Sequence, residues 1–401
     1  MQLEKAVAGL EPKLIEWRRR LHAHPEISFE EYKTTEFIAK ALEQLGVSYE
    51  RPTKTGLVAH ITGEKPGEPG VLGFRADIDA LPMPEENDLP YRSQTENVMH
   101  ACGHDGHTAM LLGLAQMLVQ NKDSFCGEAR LFFQHAEELP PGGAIELVRA
   151  GAADGVDAML GLHLSSDFPA GVFGVKSGVL TANVDRAEIR VTGKGGHCAF
   201  PQLCADPVVA ASEIVLAAQS IVSRRVAPKE PAVVSICEIH GGTAYNIIPN
   251  DVRLSASIRS FGETARKLIQ NELTAVCTGV AAAHRCEADV EWVEGYPSVV
   301  NAETLTQTAL EQIGFRFGPE HIEHIGVIMP GEDFSYFLDG RPGFFVELGT
   351  RNAVIAADRP HHNPKYRMDE SALVLGTQYE FDMARALLDG TGGIKRGGQA
   401  K

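Results

Sequence analysis

A chain of 401 residues exceeds what one hydrophobic core usually supports, so more than one domain is expected. Its 44% hydrophobic and 22% charged content is that of a globular enzyme and excludes long disorder. A net charge of −16 repels nucleic-acid phosphate and anionic bilayers, which removes nucleic acid and membranes from the expected partners.

The start, Met1-Gln-Leu-Glu-Lys, stays charged through Arg18-Arg19-Arg20. It carries no apolar run of the kind a secretory signal or a membrane span needs. Leu10, Leu14, Trp17 and Leu21 fall at helical spacing and predict one amphipathic helix over residues 3–22. A second is predicted over 30–45. Residues 56–62 and 71–76 then read as strands around a Gly/Pro turn. An apolar helix is predicted over 108–119, and buried strands over 130–134 and 157–163 with a helix over 144–150 between them. Strand–helix alternation of this kind predicts an α/β fold with a mostly parallel sheet flanked by helices.

From about residue 183 the pattern changes. Residues 186–192, 232–239 and 251–259 alternate apolar and polar side chains, as strands with one wet face do. Helices over 206–224 and 262–282 interleave with them. The expected organisation is therefore a discontinuous domain, 1–182 and 293–401, interrupted by a smaller α+β domain over 183–292. A helix over 304–313 and a buried strand over 343–349 resume the first domain, and the Gly-rich tail from Gly390 is expected to be unstructured. Seven cysteines are scattered from 102 to 286. An odd number at such spacing does not form a disulfide framework, and a reduced cytoplasm is the expected location.

Polar residues gather where the predicted strands end. Arg75-Ala-Asp77-Ile-Asp79 follows the second strand, His100-Ala-Cys102-Gly-His104-Asp105-Gly-His107 precedes the apolar helix, and His135-Ala-Glu137-Glu138 follows the third strand. His163 closes the fourth. In an open parallel sheet, function collects in the crevice beyond these carboxyl ends. Cys, His and Glu together are metal ligands by type. Taken singly, Cys102 reads as a small buried residue, His163 as a core histidine and Glu137-Glu138 as a solvated pair. Their convergence on one crevice carries the metal reading. Neighbouring carboxylates on extended backbone point opposite ways, so one can bind metal while the other moves a proton. Of His361 and His362, spacing alone does not decide which closes the site. Asp77 and Asp79 either orient ligands or stabilise the turn after the strand.

These motifs resemble the aminoacylase/carboxypeptidase-type dinuclear metallohydrolases, and within them the branch of hippurate hydrolase and the auxin-conjugate hydrolases. The resemblance spans nearly the whole chain. It runs through Trp17-Arg-Arg-Arg-Leu-His-Ala-His-Pro-Glu26, Phe74 to Met83, Met99 to His107, Gln134 to Glu138, Gly161-Leu-His163, Gly193 to His197, Tyr245-Asn-Ile-Ile-Pro249, Gly331 to Phe334 and His362-Asn-Pro364. It implies two divalent metal ions (zinc or manganese, with cobalt or nickel also possible) held by Cys102, His104, Glu138, His163 and His362. It implies Glu137 as general base and the inserted domain as a dimerisation domain, in a homodimer or homotetramer. His197 would steady the oxyanion, and Asn246 and Arg259 would meet the substrate. A turn role for Asn246 and a surface ion pair for Arg259 are the plainer readings. The implied activity is hydrolysis of the amide of N-acyl-L-amino acids, hippurate-like or N-acetyl, with a carboxypeptidase or dipeptidase of the same fold as the alternative. The chain departs from many relatives at Gln202, where they carry histidine, and at Cys204, where they carry a small residue. Both bear on substrate preference.

Overall fold

The computed structural model of the protein describes residues 3–396. It divides into two compact units. The first runs through Leu180, resumes over Val299–Gly326 and again from Asp333; the second comprises Thr181–Ser298 and Val327–Glu332.

The first unit is built on an eight-stranded sheet. Its strand order is Ser48–Glu50, Leu57–Thr62, Gly127–Gln134, Gly70–Asp77, Ala158–Pro169, Gly343–Arg351, Phe173–Val175 and Ile322–His324. The four central strands run parallel; Leu57–Thr62 joins antiparallel. Their side chains read as near-continuous apolar runs because helices cover both faces. Helix His104–Gln120 is buried almost throughout, with Met110, Leu111, Leu114 and Leu118 at 0–1% exposure. Each such side chain contributes roughly 1.5–3 kcal/mol on burial. Gly113 lets this helix approach its neighbours: a Cβ there would meet Leu14 at 2.6 Å.

Three local expectations need correction. The single helix over 3–22 is two, Lys5–Ala8 and Glu11–Ala23. Pro12 lacks an N–H, so it suits the first turn of the second helix and cannot continue the first. The apolar helix starts at His104 rather than 108. The tail is ordered where described: Glu68 N–H donates to Gly390 O (2.9 Å), and Ile394 is 4% exposed in the core. Residues 397–401 lie outside the described residues.

In the second unit, four antiparallel strands lie in the order Val233–Gly241, Asp251–Ser260, Asn183–Thr192 and Glu287–Glu294. The alternation read from the sequence is the pattern of burial. Ala187, Ile189, Val191, Leu254 and Ile258 pack with Ile214 and Ile221 of helix Pro207–Arg224 and Ile269 and Leu273 of helix Gly262–Ala283. The unit extends past residue 292 because Gly295 N–H donates to Asp185 (3.2 Å) and Ser298 N–H to Asn183 (2.7 Å). No helix among the described residues is long and apolar enough to cross a membrane.

Candidate metal centre

Register sets the site. Asp77 pairs with Gln134 on one side, and Arg75 pairs with Gly161 on the other, which brings Asp77 level with His163 two residues on. Arg75 ties these strand ends together, donating to Gln134 (2.8 Å), Asp77 (2.7 Å) and Asp333 (2.8 Å). Gly103 has φ +105°, a conformation side-chain-bearing residues avoid, and it turns the chain from Cys102 into the helix that begins with His104. Beyond Gln134, Ala136 is also left-handed (φ 51°), its N–H bonded to Glu31 (2.8 Å). That kink precedes the buried Glu137 and the adjacent Glu138, whose N–H donates to Asp79 (3.0 Å).

Hydrogen bonds fix which histidine nitrogens are bare. Nδ1 of His104 donates toward Asp79, 3.0 Å from its carbonyl and 3.1 Å from its carboxylate, which leaves Nε2 unprotonated in the neutral ring. That Nε2 is buried and has no hydrogen-bond partner, and neither has Glu138 Oε1. With Cys102 Sγ these atoms lie within 4.8 Å of one another. His163 donates from Nδ1 to Leu164 O (2.9 Å) and turns Nε2 to within 3.5 Å of the same sulfur. Nε2 of His362 stands 3.2 Å from Glu138 Oε1. All five residues that the resemblance implies as ligands are thus brought to one place.

His107 lies equally close to His104 and His163. Both its nitrogens are taken, however: Nδ1 by Asp77 (2.6 Å) and Nε2 by the N–H of Leu164 (2.8 Å). It braces the site and has no lone pair to offer. His361, left open by spacing, also enters the cluster, with Nδ1 3.5 Å from Cys102 Sγ.

The electrostatics favour a cation. Burial opposes charge on His104, but Asp77, Asp79 and Glu138 outweigh it and lift its pKa to about 10. Burial raises the Cys102 thiol well above its usual range, and the carboxylates of Glu138, Glu137 and Asp77 add to that. Both shifts report one negative potential in a space short of hydrogen-bond donors. Imidazole nitrogens, a sulfur and a carboxylate oxygen, in a negative potential that favours a proton on His104 where an ion would displace it, are the donor chemistry of a divalent ion, and the residues fit one.

His197, Asn246 and Arg259 belong to the second unit. His197 is exposed in a two-residue ribbon opposite Ile247, beside Asn246, whose carbonyl accepts from Cys198 N–H (3.3 Å). Arg259 is half-buried and donates only to Ser257 Oγ (3.1 Å) and Ile258 O (2.9 Å). Among the described residues it forms no salt bridge, although the Asp185 carboxylate acts on its charge.

Comparison with known proteins places this geometry. Residues 73–386 match the model of peptidase family M20/M25/M40. The chain is 41% identical over 390 residues to an N-acetyl-L-cysteine deacetylase of Bacillus subtilis, covering 96% of this chain and 90% of that protein. It is 38% identical over 391 residues to thermostable carboxypeptidase 1 of Saccharolobus solfataricus, covering 96% and 97%. Among solved structures, a dinuclear metal-binding peptidase of the M20 family from Bacillus subtilis superposes with a TM-score of 0.84 at 36% identity, covering 95% of this chain and 99% of that one. With strand ends, donor cluster and sequence in agreement, the chain belongs to peptidase family M20/M25/M40.

Proposed function

We propose that this protein is a metal-dependent hydrolase of the amide bond in N-acyl-L-amino acids, acting through two divalent ions held by Cys102, His104, Glu138, His163 and His362. The observation that carries the reading is the pair of buried atoms that make no hydrogen bond, His104 Nε2 and Glu138 Oε1, beside the Cys102 sulfur. The likeness to a deacetylase of N-acetyl-L-cysteine supports the acyl-amino-acid substrate. The likeness to a carboxypeptidase keeps a peptide C-terminus as the second reading. Zinc or manganese is the proposed ion, and cobalt and nickel also suit the donors.

Bound ions supply Lewis acidity at the scissile carbonyl and lower the pKa of water from ~15.7 toward ~7. The chain's own groups do the rest. Asp79 holds His104 in the tautomer that keeps Nε2 bare and fixes the Glu138 backbone. Glu137, next to a ligand, takes the proton from the attacking water and delivers it to the departing amine nitrogen. Arg259, which makes no salt bridge among the described residues, is the proposed partner of the substrate carboxylate, with Asn246. His197 donates to the developing oxyanion.

The test is release of free amino acid from N-acetyl, N-benzoyl and dipeptide substrates, by enzyme stripped with chelator and then restored with zinc, manganese or cobalt. Release should disappear on stripping and return with metal. Glu137→Gln should lower kcat about 10²–10⁴-fold with the ion content unchanged. Metal-restored release from dipeptides alone would overturn the acyl-amino-acid reading in favour of the peptidase.

We also propose a cytoplasmic enzyme that pairs through its second unit, as a homodimer or homotetramer. All seven cysteines are free. Val208, Val209 and Leu216 (74% exposed) line the outside of one helix, and Tyr245 and Ile247 of the same unit are also exposed. Light scattering should give a mass of two or four chains, falling to one chain for Leu216→Glu. A monomeric parent protein would end this proposal.

A further inference from the structure

His361 and His163 flank one sulfur, yet their protons lie on opposite sides. The ring of His163 gives its Nδ1 proton to Leu164 O (2.9 Å) and presents a bare Nε2 to Cys102 Sγ at 3.5 Å. In His361 the arrangement is reversed. The N–H of Ser166 donates to Nε2 at 3.0 Å, so that nitrogen is the acceptor of a neutral ring and the proton resides on Nδ1. Nδ1 faces Cys102 Sγ at 3.5 Å, within reach for an N–H···S hydrogen bond.

The ring has little freedom to turn. It stacks on His163 (centroids 5.3 Å apart, 25° between planes) and meets the edge of Tyr366 (5.0 Å, 66°). Ser166 and His163 share the strand Ala158–Pro169, so one element both presents the bare nitrogen and orients the protonated one.

From this we infer that His361 is a positioning residue: it donates an N–H···S hydrogen bond to Cys102, fixing the sulfur's orientation and drawing electron density from it, and is not itself a metal ligand. The inference rests on Cys102 being a ligand, as proposed above. A hydrogen bond to a thiolate lowers the energy of its lone pairs. Charge transfer from that sulfur to a bound ion then needs more energy, and the ligand is held in one rotamer.

The full chain loaded with cobalt(II) reads this out directly through its sulfur-to-cobalt absorption band in the near ultraviolet. Cobalt bound per chain and cobalt affinity are measured on the same samples. His361→Phe keeps an aromatic ring for the stack and removes both hydrogen bonds. Its band is expected to move to longer wavelength, with cobalt per chain unchanged and affinity weaker by about 10–100-fold. His361→Asn, whose amide can accept from Ser166 and donate to sulfur, is expected to restore the band. Should the Phe variant not fold, His361→Leu gives the same comparison with a smaller side chain. An unmoved band in a folded variant overturns the inference, and so does loss of one cobalt per chain, which would make His361 a ligand. If the unmutated protein binds cobalt without a sulfur band, the fault lies earlier, in the assignment of Cys102 itself.

Discussion

Residues 100–107 serve two buried polar clusters, and the contrast between them shows what separates a structural network from a binding site. On one side stand Arg18, His22, Glu85 and Asp105. Asp105 meets Arg18 Nε and His22 Nδ1, both at 2.8 Å, and Glu85 meets His22 Nε2 at 3.2 Å. Both nitrogens of His22 face carboxylates, and the Arg18 guanidinium also reaches Glu370 (3.3 Å) and lies over the Tyr91 ring. Charge is matched by charge within the protein. On the other side Cys102, His104 and Glu138 bring ligand-type atoms together among Asp77, Asp79 and Glu137, and two of those atoms, His104 Nε2 and Glu138 Oε1, make no hydrogen bond. In charge the first cluster is closed, although Arg18 Nε meets Asp105 as an ion pair without a hydrogen bond, and the second is open. An open buried cluster is costly unless something from solution completes it.

Breaking the closed cluster should give the largest effect. Asp105→Asn leaves Arg18 and His22 facing a neutral amide, and a loss of about 3–5 kcal/mol is expected in denaturant unfolding, with metal content unchanged in the folded fraction. A variant of normal stability that lost its ions would erase the distinction between the two clusters.

Loosening the open cluster should cost less. Asp79 is the brace shared by His104 Nδ1, Glu138 N–H and Ser28 Oγ. Asp79→Asn should weaken metal binding about 10–100-fold, measured by competition with a chelating dye, while unfolding of the metal-free protein changes little. Unchanged affinity would assign Asp79 to the turn alone.

The effect that is smallest per pH unit lies outside both clusters. Glu380 is buried on helix Ser371–Leu387, and its Oε2 makes no hydrogen bond. Burial lifts its pKa from the usual 4.5 to about 8. It is therefore a neutral acid in the folded chain. Between these values the unfolded chain ionises while the folded one does not, so stability falls as pH rises, by at most ~1.4 kcal/mol per pH unit. Glu380→Gln removes that dependence, and its Tm should gain on the unmutated protein between pH 5 and pH 8. A constant difference across that range would show that Glu380 is ionised in the fold.

Much of this was legible in the sequence for a simple reason. Strand periodicity places Asp77 and Gln134 at strand ends, and parallel register sets them beside His163, which lies within the strand Ala158–Pro169 rather than at its end as expected, because that strand continues to pair with Gly343–Arg351 beyond it. The inserted antiparallel segment announced itself through alternation, and its wet and dry faces are those the pattern implies. What the sequence hid was the state of individual nitrogens. His107 sits in the same motif as His104, and only the N–H of Leu164, a partner 57 residues away, removes it from the donors. His361 and His362 are adjacent, and spacing could not divide them. A left-handed backbone at His362 (φ 60°) turns the pair so that one faces Cys102 and the other Glu138. The Gly-rich tail misled because composition reports flexibility and not the pocket that receives Ile394.

The proposed donors come from widely separated parts of the chain: residues 102–104 and 138 early, 163 after a further strand and 362 near the end. A growing polypeptide therefore has no complete donor set until its last stretch is made and the strand Gly343–Arg351 has paired with Ala158–Pro169. Ions of this kind are latecomers. Small metal-bound domains use the ion as the seed of folding, whereas the donor set proposed here is complete only where the strand Gly343–Arg351 lies against Ala158–Pro169, which ties metal loading to a closed sheet.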